Sequence, residues 1–398
     1  MVMAALAEGT TVLNNASDAG DSVIMSNLLK QLGIKIEKRG DVIVLIGNGG
    51  RFNEFNGALN AADAGTVMRF LCALCCMIPG ETVLTGSDRM HERPIHGLVE
   101  ALTRLGANIY YLNKAGFPPV KITGGSMKGG KVRMDASMSS QFVSALLMIA
   151  PCFSGDTEID CGSEIASLPY IDMTMAVMKQ FGLEIKRKEH GTFNVTGQSK
   201  YSPVQFTIEG DASSASYPFA IAALTAGSVE IVNLPSNSLQ GDIAFADLLQ
   251  QMGCSVIKDK TITVRGCSQL KAITADLSGM PDVAQTLAVI ASFAKGETVL
   301  KGLKTLQHKE TKRITALKTE IKKMGIACDA TDDTLTIRGG NPHGALIQTY
   351  GDHRMAMSFA VAGAKIPGIR IQNPDVVMKS FPGFWRTLET MGIKINLA

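Results

Sequence analysis

The chain has 398 residues, 45% hydrophobic and 6% aromatic, with 40 glycines, which exceeds one ordinary core and predicts two domains of a mixed α/β class. Thirty-nine basic residues against 36 acidic ones leave a net charge of +3, which argues against a nucleic-acid or membrane-surface binder and permits a local cation cluster for a small anion. No apolar run approaches the roughly 20 residues of a membrane span, and no signal-peptide pattern opens the chain.

The predicted elements repeat along the chain. The opening residues read as the last turns of an apolar helix that ends at Gly9 and is followed by a strand, "ALAEGTTVL". The same order returns in "LCCMIPGETVL", "LMIAPCFSGDTEI", "ALTAGSVEIV", "SFAKGETVL" and "GAKIPGIRI", with glycines at Gly80, Gly155, Gly227, Gly296 and Gly368 and spacings of 71, 75, 72, 69 and 72. Each copy then has a second helix that ends on glycine before a strand: "LLKQLGIKI", "ALTRLGANI", "VMKQFGLEI", "LLQQMGCSV", "EIKKMGIAC" and "TLETMGIKI". Glycine is expected there, because a helix commonly closes on a left-handed residue that only glycine adopts without penalty. A third strand closes five copies, giving a unit of helix, strand, helix, strand, strand. Three units per domain divide the chain into 1–202 and 203–398, with a link near 197–203. The first copy has no helix start and the last has no third strand, a shortfall of roughly 33 residues that predicts an absent N-terminal segment.

The eight cysteines are scattered in apolar segments, and Cys72 and Cys75 form a lone C-x-x-C with no second pair at zinc spacing. Buried free thiols are the expectation.

The starts of the repeated apolar helices carry polar residues: "DAGTVMRF" (63–70), "SMSSQFVSA" (137–145), "GDASSASY" (210–217), "GMPDVAQT" (279–286) and "TYGDHRMAMSF" (349–359). Taken singly, each serves as a helix cap. Taken together, equivalent helix starts offer several positive dipole ends to an anion. Arg69 and Arg354 stand in first turns, where a cation opposes the dipole unless an anion is near. Further cations occur in "RMHERPI" (89–95) with Arg89 and Arg93, and in "LQHKETKRI" (306–314) with Lys309, Glu310 and Arg313. "VMKSFPGFW" (377–385) sets Lys379 between apolar neighbours.

These stretches, with "SSQFVSALLM", "SLPYIDMT", "QGDIAFAD", "MPDVAQTLA", "KETKR" and "KSFPGFW", occur in the order seen in the 5-enolpyruvylshikimate-3-phosphate (EPSP) synthase family, which the chain resembles over nearly its whole length. The resemblance implies two domains, each of three βαβαββ units about a pseudo-threefold axis, with the active site in the interdomain cleft. It implies transfer of the enolpyruvyl group of phosphoenolpyruvate to the 5-hydroxyl of shikimate 3-phosphate, with phosphate leaving through a tetrahedral intermediate. It also implies no metal or organic cofactor, no nucleic-acid or membrane partner, and a cytoplasmic monomer.

By the same resemblance, Gly65, Arg93, Gln141, Arg313, Arg354 and Lys379 hold phosphoenolpyruvate. Ser139, Ser140, Gln141, Ser167, Tyr170, Asp282, Thr305 and Lys309 hold shikimate 3-phosphate. Asp282 matches the base and Glu310 the proton donor, with Lys309 beside the reacting hydroxyl, and His353 orients Asp352 or Arg354 or is structural. Asp63 and Thr305 stand where the family commonly has asparagine, and Lys312 stands for the usual aspartate before Arg313. The family's lysine-, serine- and arginine-bearing entry to the first helix has no counterpart. Two other readings stay open: an impaired relic of the same fold, and a sister transferase acting on a nucleotide sugar. The second is disfavoured because the "RMHERPI" segment carries no cysteine.

Overall fold

The computed structural model describes residues 1–188 and 191–396. The chain divides into two compact units, Met1–Ile208 and Glu209–Ala398. The division falls a few residues beyond 202, because Gln205–Thr207 adds a parallel strand beside Val12–Asn14 of the first unit.

The first unit contains helices α1 (Val2–Leu6), α2 (Gly20–Gln31), α3 (Gly65–Cys75), α4 (His96–Arg104), α5 (Ser140–Ile149) and α6 (Leu168–Gln180). The second contains α7 (Ala212–Thr225), α8 (Phe245–Gln251), α9 (Ala284–Ala291), α10 (Arg313–Lys323), α11 (His353–Gly363) and α12 (Phe384–Thr390). The odd-numbered helices α3, α5, α7, α9 and α11 are apolar on nearly every side and buried, as a helix without a polar face must be. Of these, α3 packs on α5 in the first unit, while α7, α9 and α11 all touch one another in the second.

The repeat is visible in the sheets. Gly57–Asn60 lies parallel to Gly80–Thr85, which pairs antiparallel with Val120–Gly124, which pairs with Asn108–Tyr111. The same pattern recurs in Gly130–Arg133, Thr157–Asp160, Thr192–Val195 and Lys186–Lys188. It recurs again in Thr274–Asp276, Gly296–Lys301, Leu335–Gly339 and Ala327–Ala330. Helices α3, α5 and α9 therefore each join two parallel neighbours, the connection that parallel strands require. The short opening strands were absent from the residue pattern, since three or four half-exposed residues carry little periodicity.

The six second helices close as expected: Gly33, Gly106, Gly182, Gly253, Gly325 and Gly392 have φ between 80° and 106°. The last sheet has two strands, Leu346–Ile347 and Arg370–Ile371, and no closing strand follows among the described residues. All eight cysteines are free, with Cys72 and Cys75 buried in α3. Burial pushes the Cys75 thiol up to about 12.

Candidate active site

In the second unit, α10 opens on Arg313, a guanidinium 1% exposed and ringed by three carboxylates. Its Nε donates to Asp352 Oδ2 at 2.7 Å and its Nη2 to Asp352 Oδ1 at 3.3 Å, the fork geometry suited to a carboxylate. Nη1 donates to Asp282 Oδ1 at 3.1 Å, and Nη2 also reaches Glu310 Oε2 at 2.8 Å. Asp282 further accepts from Lys309 Nζ at 3.3 Å and Arg354 Nη2 at 3.1 Å. Lys379 Nζ lies 3.5 Å from Glu310 Oε1. Four cations and three carboxylates thus form one connected cluster.

The electrostatics follow from that geometry. Burial works against the charged form of Asp282, but Arg354, Lys309 and Arg313 outweigh it and hold the carboxyl far below the usual carboxylate range. Burial likewise opposes charge on Arg313, yet Asp352, Glu310 and Asp282 raise it above its ordinary value. Arg354 is raised chiefly by Asp282 against the same opposition. Its Nη1 also approaches the Tyr217 hydroxyl at 3.5 Å, and burial pushes that phenol up to about 12. Thr305, in the turn Lys304–His308, has a buried Oγ1 with no hydrogen-bond partner among the described residues. Lys312 is exposed beside this cluster and makes no side-chain cap for α10.

His353 is buried with Nδ1 3.6 Å from Asp352 Oδ1. Burial drives its pKa down to about 3, overriding the neighbouring carboxylates. The folded protein therefore binds fewer protons here than the unfolded chain, whose imidazole titrates near 6.5. The resulting stability is complete above about pH 6.5 and is lost as pH falls toward 3, by about 1.4 kcal/mol per unit. Urea unfolding at pH 7 and pH 5 is expected to show this loss, and His353→Gln is expected to flatten it. Equal slopes would count against a neutral buried His353.

One carboxylate gave no early signal. Glu320, fully buried on α10, accepts from Lys323 Nζ at 2.8 Å, the Gln348 amide at 3.1 Å and the Tyr350 hydroxyl at 2.6 Å. Tyr350 has φ 54°, a left-handed backbone that a bulky residue adopts only when held. Glu320 thus fixes the loop that delivers Asp352. It stands two turns past Arg313 on one face of α10, so helical spacing alone could have found it.

In the first unit, Gly65 is the first residue of α3, whose start has no side-chain cap. A Cβ at Gly65 would stand 2.5 Å from Arg93 Nη2 and 2.9 Å from its Cζ, so the guanidinium lies directly on the glycine. Arg93 Nη1 donates to Asp63 O at 3.2 Å, while the Asp63 carboxylate accepts from Ser87 Oγ. Arg69 points back along the structure, donating to Gly65 O at 3.2 Å and Pro94 O at 2.9 Å. It braces the Arg93 segment against α3. Arg89 pairs with Glu92 at 2.6 Å.

Gln141 Nε2 donates to Thr66 Oγ1 at 3.0 Å, bringing the start of α5 to the start of α3. Ser139 caps α5 by accepting from the Gln141 amide at 3.2 Å, and Ser140 is buried behind it. Ser167 precedes α6 with φ 53° and makes no side-chain cap, and Ala166 N donates to Ala136 O at 3.0 Å, which draws the Ser167–Tyr170 turn toward the α5 entry. Gly65, Arg93 and Gln141 therefore share one end of the first unit. Asp282, Thr305, Lys309, Glu310, Arg313, Arg354 and Lys379 belong to the second unit.

The helix starts are not equivalent. Asp211 accepts from the Ser213 and Ser214 amides, and Asp352 from the Arg354 amide, so α7 and α11 are capped from within. Among the described residues, α3 and α9 have no such cap. An added methyl at Gly65 would push aside the flexible end of Arg93 with little effect on folding. Gly65→Ala is expected to raise KM for an anionic substrate about tenfold with thermal stability nearly unchanged. An unchanged KM would remove Arg93 from the site.

Residues 1–388 match the family model described as EPSP synthase (3-phosphoshikimate 1-carboxyvinyltransferase). A 3-phosphoshikimate 1-carboxyvinyltransferase of Sulfurovum sp. (strain NBC37-1) is 42% identical over 397 residues, covering 98% of this chain and 93% of that relative. The one from Histophilus somni (strain 2336) is 42% identical over 399 residues, covering 98% and 92%. A solved EPSP synthase structure from Acinetobacter baumannii superposes with a TM-score of 0.82 at 27% identity, covering 100% of this chain and 93% of that one. The chain belongs to the EPSP synthase family.

Proposed function

We propose that this protein transfers the enolpyruvyl group of phosphoenolpyruvate to the 5-hydroxyl of shikimate 3-phosphate, releasing phosphate. The reading is carried by the cluster in which Arg354, Lys309 and Arg313 surround an ionised Asp282. Both substrates are polyanions, and permanent cations already gathered by internal carboxylates can exchange them for substrate phosphate and carboxylate. Arg313 spends four of its five N–H groups on Asp352, Asp282 and Glu310, so it acts chiefly as the fixed post. Within the second unit, Arg354 and Lys379 are the cations placed to turn toward phosphoenolpyruvate; Arg93, Gly65 and Gln141 are candidates for the same substrate by the family resemblance. Ser139, Ser140, Ser167 and Tyr170, with Thr305 and Lys309, are the candidates for shikimate 3-phosphate.

The chemistry requires one proton to reach a carbon and another to leave an oxygen. The 5-hydroxyl attacks C2 of phosphoenolpyruvate and gives its proton to Asp282 with Lys309 alongside, while Glu310 protonates the methylene carbon. Glu310 is held in place by Arg313 Nη2 at 2.8 Å and has Lys379 Nζ at 3.5 Å; to act as the donor it must carry a proton, which a neighbouring phosphate dianion favours. The tetrahedral adduct next expels phosphate, and its new methyl group returns one proton. Phosphate release in the presence of both substrates tests the reading. Release is expected only when both are present; none with both, or equal release without shikimate 3-phosphate, would refute it.

A further inference from the structure

Three central helices of the second unit carry a hydroxyl within one residue of the same place in the repeat: Ser216 on α7, Thr286 on α9 and Ser358 on α11. All three are fully buried. Ser216 Oγ donates to Ser213 O at 2.6 Å, and a carbonyl can only accept, so that hydroxyl's one proton is committed. The Ser216–Thr286 contact of 3.1 Å must then run from Thr286 to Ser216, and the Thr286–Ser358 contact of 3.2 Å from Ser358 to Thr286. The result is a one-directional chain, Ser358 to Thr286 to Ser216 to the first turn of α7, with every link satisfied.

The chain lies one helical turn below the charged cluster. Thr286 follows Asp282 by four residues, and Ser358 follows Arg354 by four. The side-chain ties between α11 and the segment formed by the Pro281–Val283 turn and α9 therefore come in two tiers: the Arg354–Asp282 ion pair at 3.1 Å, and the Ser358–Thr286 bond beneath it. We propose that the hydroxyl chain is the positioning device that keeps Asp282 and Arg354 in register once phosphoenolpyruvate has drawn Arg354 off the carboxylate. The inference rests on Arg354 being a ligand of that substrate.

The upper tie is the one a substrate anion competes for, and the lower is out of its reach. Apolar packing between the helices is non-directional and permits a small slip, whereas a satisfied hydroxyl chain fixes both spacing and rotation. The first unit supplies the contrast. Ser144, one repeat before Ser216, bonds to Thr174 of α6 at 2.8 Å instead of to a second central helix. The device belongs to the unit that carries the Asp282–Arg354 pair.

Thr286→Val keeps shape and removes the middle link. It is expected to raise KM for phosphoenolpyruvate about tenfold, with KM for shikimate 3-phosphate within about twofold of the parent. Thr286→Ser, which restores the hydroxyl and loses the methyl, is expected to return KM to within about twofold, and Ser358→Ala, which removes only the donating end, to raise it about threefold. An unchanged KM in Thr286→Val, or equal damage in Thr286→Ser, overturns the inference. Arg354→Gln is measured alongside. If it leaves KM for phosphoenolpyruvate unchanged, the ligand reading of Arg354 fails; if it raises KM and Thr286→Val does not, only the positioning inference fails.

Discussion

Replacing Arg313 by methionine is expected to destabilise the second unit by about 3–5 kcal/mol, the cost of stranding buried carboxylates by removing their shared partner. The same change is expected to lower kcat/KM by about a thousandfold. Asp352 is fully buried and takes two of the arginine's bonds, and Asp282 and Glu310 take one each. A lysine at 313 keeps the charge but presents no planar fork, so Arg313→Lys is expected to recover stability only in part. Urea unfolding measures the first effect and steady-state kinetics the second. Because the loss comes from uncompensated charge, Arg313→Met with Asp352→Asn should be less destabilised than the two changes summed. A stability loss below about 1 kcal/mol for Arg313→Met would show that the cluster is held by something else.

Asp282→Asn is expected to have the opposite character. Asparagine fits the same space and cannot take the hydroxyl's proton, so kcat should fall by about 10²–10⁴. Removing the anion also leaves Arg354 and Lys309 more available, so KM for phosphoenolpyruvate should stay level or fall. A kcat within about threefold of the parent would take proton transfer away from Asp282. A large rise in KM with kcat unchanged would instead make Asp282 a binding residue alone.

The parts of this protein legible in its sequence are those set by local chemistry. The glycines that end the second helices, such as Gly33 and Gly325, mark left-handed backbone and so reveal the repeat before any tertiary contact is known. The buried helices α7 and α9 are legible because they have no polar face. What could not be read is the pairing of distant groups. Arg313 and Asp352 are 39 residues apart, and nothing in either segment shows that one closes on the other. Arg69 stands in a first turn by sequence, and position alone could not show that it reaches the carbonyls of Gly65 and Pro94. The strand Gln205–Thr207 moves the boundary between the units for the same reason, since its partner lies near the start of the chain.

The proposed reaction adds a hydroxyl across the double bond of phosphoenolpyruvate and then eliminates phosphate. Running the reaction in heavy water tests it most directly. Protonation at the methylene carbon would place a solvent deuteron in a transient methyl group, and elimination would leave most product molecules with deuterium in the vinyl group. Mass spectrometry of the product is expected to show that label. Phosphate released with a vinyl group free of deuterium would contradict the account.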